Sequence, residues 1–198
     1  KLHQCKYRFG LTGTLDGSQT HQLVLEGLFG IVEKVVSTKE LIDKKTLANL
    51  KIKCIVLKHP PIRERIDYAE EINYLVSNIS RNNFILELCN TISGNTLCLF
   101  QLVEKHGKIL YDGMKEKENV YFVYGGTDTD HREKIRGLVE GHTNSTTIAS
   151  YGTFSTGINI RNINNIVLAS PSKSKIRVLQ SIGRGLRTSS TKDSILVF

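Results

Sequence analysis

Three polar residues near the C-terminus carry the most chemistry: Gln180, Arg184 and Arg187, within the run Gln180-Ser-Ile-Gly-Arg-Gly-Leu-Arg187. On a helix they stand at i, i+4 and i+7 and line one stripe. Ile176, Leu179, Ile182 and Leu186 fall on a different stripe, roughly 120° away at ~100° of rotation per residue. One side can therefore be buried while two guanidiniums and an amide face outward. Guanidinium is always charged and takes phosphate oxygens in pairs, which an ammonium cannot do. Gly183 and Gly185 flank Arg184 and weaken a helix, which fits a close approach to its backbone. The same pattern also fits an amphipathic surface helix with solvated arginines.

A second polar segment, Ser155-Thr-Gly-Ile-Asn159, lies upstream. Its amides and hydroxyls suit phosphate oxygens, and Asn159 suits a ribose hydroxyl. Taken alone, it fits a plain Ser/Thr/Gly turn equally well.

Charge placement adds weight to the anion reading. The formal net charge is +8, and no Asp or Glu occurs from Gly141 to Lys192. That segment holds Arg161, Lys173, Lys175, Arg177, Arg184, Arg187 and Lys192. A positive field concentrated on one part of a chain suits a polyanion, although basic proteins also carry such excess without a specific site. With 39% hydrophobic and 23% charged residues, the 198-residue chain has the composition of a folded soluble domain and not of a disordered tail. No apolar run approaches the ~20 residues of a membrane span, so a cytoplasmic protein is expected. The chain opens on Lys1 without a methionine, which reads as an excerpt or a processed piece. Cys5, Cys54, Cys89 and Cys98 make no C-x-x-C pair; free thiols are expected, with the last three buried, and no metal site.

These residues need a scaffold, and the apolar pattern supplies one. Near the N-terminus it predicts a strand and turn at Tyr7–Leu15, a helix at Gln22–Leu28 and a strand at Ile31–Val36. A helix capped by Thr38 is expected to run to Leu50, followed by a strand at Lys51–Leu57 and a break at Pro60-Pro61. Ile72, Leu75, Val76 and Ile79 mark one amphipathic helix, and Phe84, Ile85, Leu88, Cys89 and Ile92 another. Short apolar runs at Leu97–Phe100, Val120–Val123, Thr147–Ala149, Ile166–Leu168 and Ile195–Phe198 then alternate with helical segments near Glu104–Tyr111, Asp130–Glu140 and Lys175–Leu186. This alternation predicts an α/β fold: a doubly wound, mostly parallel sheet with helices on both faces. Ligands on such sheets bind at the carboxyl ends of the strands.

In order and spacing, Phe9-Gly-Leu-Thr-Gly-Thr14, Leu28-Phe-Gly30, Leu99-Phe-Gln101, Ala149-Ser-Tyr-Gly152, Phe154-Ser-Thr-Gly-Ile-Asn159 and Ser174-Lys-Ile-Arg-Val-Leu-Gln-Ser-Ile-Gly-Arg184 resemble superfamily 2 helicases, and within them the bacteriophage UvsW type. The resemblance implies a RecA-like sheet. Residues 1–36 would be a remnant of a first RecA-like lobe with the inter-lobe connection, and residues 37–198 the second lobe. It implies that Thr12, Gly13 and Thr14 couple ATP hydrolysis to nucleic-acid binding. Phe100, Gln101, Ser150 and Tyr151 match positions that touch the nucleic-acid backbone. Gly157 and Asn159 match the nucleotide-sensing segment, where the family often has Asp in place of Asn159. Arg184 and Arg187 resemble arginine fingers, with Gln180 orienting the nucleotide from the same face. His131 and Arg132 fit either the backbone track or a plain surface helix start.

The implied cofactors are ATP and Mg²⁺, with the Mg²⁺ ligands on the first lobe. The chain has no G-x-x-x-x-G-K-[ST] loop and no Asp-Glu dipeptide, so the 198 residues alone are expected neither to hydrolyse ATP nor to unwind DNA. The implied partners are DNA, with RNA left open because phosphates carry the grip, and the first RecA-like lobe of the same protein. The function expected is the C-terminal lobe of an ATP-dependent DNA helicase or branch-remodelling translocase, active in recombination or repair. The alternatives are a motor subunit of a restriction or repair nuclease, and a non-catalytic nucleic-acid-binding module with the same fold.

Overall fold

The computed structural model describes residues 4–15, 18–58, 60, 66–157, 159–189 and 192–198, with the side chains of residues 155–157 left undescribed. Pro61 and Ile158 lie outside the described residues. Six strands form one all-parallel sheet: β1 (Asn49–Ile52), β2 (Thr96–Phe100), β3 (Val120–Val123), β4 (Thr146–Ser150), β5 (Asn165–Leu168) and β6 (Ser194–Val197), in the order β1-β6-β5-β2-β4-β3. The doubly wound expectation holds. Strand β2 is central, with Leu97 level with Thr147 of β4 on one side and Ile166 of β5 on the other. The chain passes from β4 to β5 across β2, so β2 marks the point where the winding changes side.

Successive side chains of β2 enter opposite cores, as the period of two requires. Leu97 and Leu99 pack with Ile135 and Val139 of α6 (Thr129–Gly141), Phe154 of α7 (Tyr151–Gly157) and Leu186 just after α8 (Lys175–Gly185). Cys98 and Phe100 pack on the other face with Ile85 and Cys89 of α4 (Ile79–Thr91) and Leu110 of α5 (Lys108–Asp112). A buried side chain of this size contributes about 1.5–3 kcal/mol, and all five residues of β2 are buried.

Several boundaries differ from the expected ones for identifiable reasons. Asn78 ends α3 (Tyr68–Ser77) and caps α4, so Ile79 opens the second helix instead of closing the first. Ser37, not Thr38, caps α2 (Thr38–Asp43), in a capping box with Glu40. That helix stops well short of Leu50, because Lys45 turns to φ 57° and Asn49–Ile52 joins β6 instead. The segment near Glu104–Tyr111 begins as a π-helical turn over Val103–Gly107 before α5. Tyr151–Gly157, expected as a loop, is helical.

The strands expected at Tyr7–Leu15 and Ile31–Val36 do not form. A strand needs a partner ladder, and these residues point into solvent, with Phe9 87% and Ile31 88% exposed. Between them α1 (Gln19–Phe29) contains no buried residue. Among the described residues, the first buried one is Ala48. Cys54 is exposed, against expectation, while Cys89 and Cys98 are buried free thiols.

The two glycines of the arginine helix have separate explanations. A Cβ on Gly185 would overlap Ile195 Cδ1 and lie 2.7 Å from Ile166 Cδ1, so the close approach is that of the sheet itself. Gly183 is exposed, with nothing within 4 Å of an added Cβ. Gly185→Ala is therefore expected to lower stability by about 1–2 kcal/mol through overpacking. Gly183→Ala should raise it by up to ~1 kcal/mol through helix propensity. Thermal melts of the two variants check this pair; a shift in the same direction for both would overturn it.

Candidate nucleotide and nucleic-acid interface

Parallel strands deliver their C-terminal loops to one edge, and here that edge gathers Gln101 after β2, Ser150–Tyr151 at the end of β4, and Ala169–Ser170 after β5. The structure divides the expected backbone-contacting residues in two. Gln101 is exposed. Phe100 is fully buried, stacked on Phe122 at 5.6 Å between ring centroids, and Gly107 presses on its ring so closely that an added Cβ would sit 2.5 Å from it. Tyr151 is also buried, and its hydroxyl donates to the Ser170 carbonyl at 2.8 Å. Burial raises its pKa above the ordinary phenol value. Both aromatic side chains are enclosed by the fold, Phe100 at the end of β2 and Tyr151 at the start of α7. Ser150 is nearly buried too, accepting from the Thr153 amide at 3.3 Å and lying 2.7 Å from Thr153 Oγ1, which caps the start of α7.

Behind these loops lies a polar cluster that the sequence did not disclose. His106, on the π-helical turn, is fully buried, with Nδ1 2.8 Å from Ser170 Oγ and Nε2 3.2 Å from Asn82 Oδ1. Asn82 Nδ2 donates to the Val76 carbonyl at 2.8 Å. The Gln101 amide donates to Ser170 Oγ at 3.2 Å. Arg81 donates through Nη2 to the Ala169 carbonyl, while its Nη1 is buried with no partner among the described residues. Burial, and then the Arg81 charge, hold the His106 pKa down to about 4.

The arginine end of the site is built differently from the expected stripe. Ser174 caps α8, accepting from the Arg177 amide at 3.3 Å, and the helix ends at Gly185. Gln180 and Arg184 lie on the helix one turn apart, with Gln180 exposed, but Arg187 lies beyond it and pairs through its backbone with Leu47. Its guanidinium donates to Asn159 Oδ1, which joins the nucleotide-sensing segment to the arginines. Gly157 closes α7 just before. Burial, and then the positive charge of Arg187, lower the Arg184 pKa. Lys192, also missed, is buried; its Nζ donates to the carbonyl of Gly185, the last helical residue, and burial lowers its pKa to about 8.

The remaining candidates lie apart. Thr12 Oγ1 donates to the Thr14 carbonyl at 2.9 Å within an exposed turn, with Gly13 open to solvent between them. Arg132 closes its own neighbourhood, donating to the carbonyls of Gly125 at 2.9 Å and Tyr124 at 3.4 Å, while His131 is exposed. Among the described residues no group of three or more His, Cys, Asp or Glu side chains could hold a metal, and no helix is long and apolar enough to cross a membrane.

Two pH dependences follow with defined signs. The folded pKa of His106, about 4, lies below its ordinary 6.5. The unfolded chain thus takes up a proton that the native state refuses, and stability falls as pH drops from 6.5 towards 4. Lys192 falls from 10.5 to about 8, so its unfavourable buried charge is relieved and stability rises from pH 8 towards 10.5. Denaturant melts across both windows check this; the slope should flatten in His106→Asn at the acid end and in Lys192→Met at the alkaline end.

The helicase conserved C-terminal domain profile matches residues 67–189. Over 200 residues the chain is 36% identical to the ATP-dependent DNA helicase uvsW of Enterobacteria phage T4, covering 96% of this chain and 39% of that protein. The crystal structure of T4 UvsW matches with a TM-score of 0.64 at 35% identity, over 86% of this chain and 34% of that one. A fragment assigned to the HsdR subunit of a type I restriction enzyme from Vibrio vulnificus matches at TM-score 0.67 and 16% identity, over 91% of this chain and 37% of that one, and shares the fold. The chain thus spans about 39% of the length of its phage relative. With its RecA-like sheet, its profile match and its likeness to UvsW, the chain belongs to the family of helicase conserved C-terminal domains.

Proposed function

We propose that this chain is the second RecA-like lobe of an ATP-dependent DNA helicase or branch-remodelling translocase. Arg184 and Arg187 face the terminal phosphate of a nucleotide, Asn159 and Gly157 lie beside it, and Gln180 orients it. The observation that carries the reading is the arginine pair itself. Arg187 is bonded to Asn159 and Arg184 lies three residues before it in the last turn of α8, in a stretch of chain without a carboxylate from Gly141 to Lys192. Like charges held together by a fold favour an anion between them. A nucleotide phosphate fits that donor set, and ATP would supply the hydrolysable bond. The 36% identity to an ATP-dependent DNA helicase supports the same reading.

Nucleic acid is proposed to lie along the carboxyl edge of β2 and β4, gripped by phosphate contacts to Gln101, Ser150 and backbone amides, with Phe100 and Tyr151 serving as the packed floor. Such grip is indifferent to base sequence and salt-sensitive. Residues 4–36 carry exposed apolar side chains such as Phe9, Leu11, Ile31 and Val35. That exposure suits a connection that packs on a first lobe, from which Thr12, Gly13 and Thr14 would couple hydrolysis to the strand. The Mg²⁺ ligands belong to that first lobe in this reading.

Arg184→Ala and Arg187→Ala, each placed in the longer helicase, should lower ATP turnover by about 10³–10⁵-fold while DNA affinity stays within about twofold. Steady-state ATPase and fluorescence anisotropy read the two quantities; parallel loss of both, or of neither, would refute the assignment. The 198-residue chain alone should show no DNA-stimulated ATPase.

A further inference from the structure

The buried cluster behind the carboxyl edge has one consistent arrangement of protons. Asn82 gives its amide nitrogen to the Val76 carbonyl, so its Oδ1 faces His106 Nε2. A carbonyl oxygen has no proton to give, and Nε2 must therefore carry the imidazole hydrogen. In the neutral ring Nδ1 is then an acceptor, and the Ser170 hydroxyl beside it must donate. With its hydrogen committed, Ser170 Oγ presents lone pairs to the Gln101 amide, which donates to it. Ser170 is tied from two further sides: its carbonyl accepts from Tyr151, and its amide donates to the Leu99 carbonyl at 3.2 Å.

We propose that His106 is a positioning residue: as the neutral Nε2–H tautomer it orients the Ser170 hydroxyl, which fixes the Gln101 backbone and ties the ends of β2, β4 and β5 into one rigid rim. The proposal rests on the reading that this rim grips nucleic acid. The burial of His106 and the neighbouring Arg81 charge both favour the neutral ring. The π-helical turn has a reason in this scheme, since it places buried Gly107 against Phe100 and buried His106 against Ser170 in consecutive positions. Protonation at Nδ1 would leave the hydroxyl hydrogen of Ser170 without its acceptor.

The test uses the full chain. Nitrogen-detected NMR of the His106 ring should show the neutral Nε2–H tautomer through the ordinary histidine titration range. The Nδ1–H tautomer, or titration at the ordinary value, would overturn the proposal. In Ser170→Ala and His106→Phe the Gln101 amide should exchange at least about tenfold faster while the Leu97 and Leu99 amides stay protected. Unchanged Gln101 exchange in Ser170→Ala, the milder variant, would overturn it. Binding of a fluorescent single-stranded oligothymidylate should weaken about fivefold in Ser170→Ala; equal binding despite faster exchange would also overturn the positioning role. If the unaltered chain binds no oligothymidylate while tautomer and exchange behave as expected, the proton relay stands and the nucleic-acid reading of the rim falls.

Discussion

The central strand is buried on both faces and paired along both edges, and most of this molecule follows from that. With neither face nor edge open, β2 can meet a ligand only at its carboxyl end. Its neighbours β4 and β5 end at the same edge, and the chain crosses β2 between them. Three sets of backbone polar groups therefore leave the sheet within a small region, partly shielded from water, where each unpaired group would cost about 1–3 kcal/mol. Ser170 answers this through its hydroxyl, carbonyl and amide, bonded to His106 and Gln101, to Tyr151 and to Leu99 respectively. Apart from Arg81 Nη1, the polar groups named at this rim bond to one another.

At the opposite, amino edge of the sheet, beside Leu47 and the start of β1, the constraint is the placement of two like charges. Arg184 and Arg187 are placed by tertiary contacts of the backbone and, for Arg187, by the bond of its guanidinium to Asn159. Gly185 seats α8 against Ile166 and Ile195, and Leu47 pairs with Arg187 just past the helix end. The helix terminus itself helps, since its carbonyls carry partial negative charge; buried Lys192 takes the Gly185 carbonyl, and Arg184 lies in the last turn. Aliphatic packing thus fixes the helix end beside which both arginines lie.

Much of this was legible before any coordinates. The five short apolar runs that alternate with helical stretches mark real strands, because a strand covered on both faces is largely apolar and therefore visible in composition. Of the polar residues singled out near the C-terminus, Arg187 is bonded to Asn159. The failures have physical causes. Tyr7–Leu15 and Ile31–Val36 have strand-like composition but no ladder to join. Phe100 and Tyr151 occupy motif positions, yet the pleat turns the first into a core and a hydroxyl bond locks the second. Arg187 falls outside the helix because Leu47, distant in sequence, competes for its backbone.

What the sequence determined by itself was therefore local and periodic: the apolar alternation, the carboxylate-free basic segment, and the order of motifs that marks the family. What only the tertiary structure decided was pairing across long separations. His106 meets Ser170 and Asn82 from 64 and 24 residues away, Arg187 meets Asn159 from 28, and buried Lys192 takes the carbonyl at the end of α8. Such contacts leave no periodic trace, since one buried polar residue looks in the chain like any surface one. They exist because a parallel sheet brings distant loops together at its two ends, where the need to satisfy each buried donor and acceptor selects the partner.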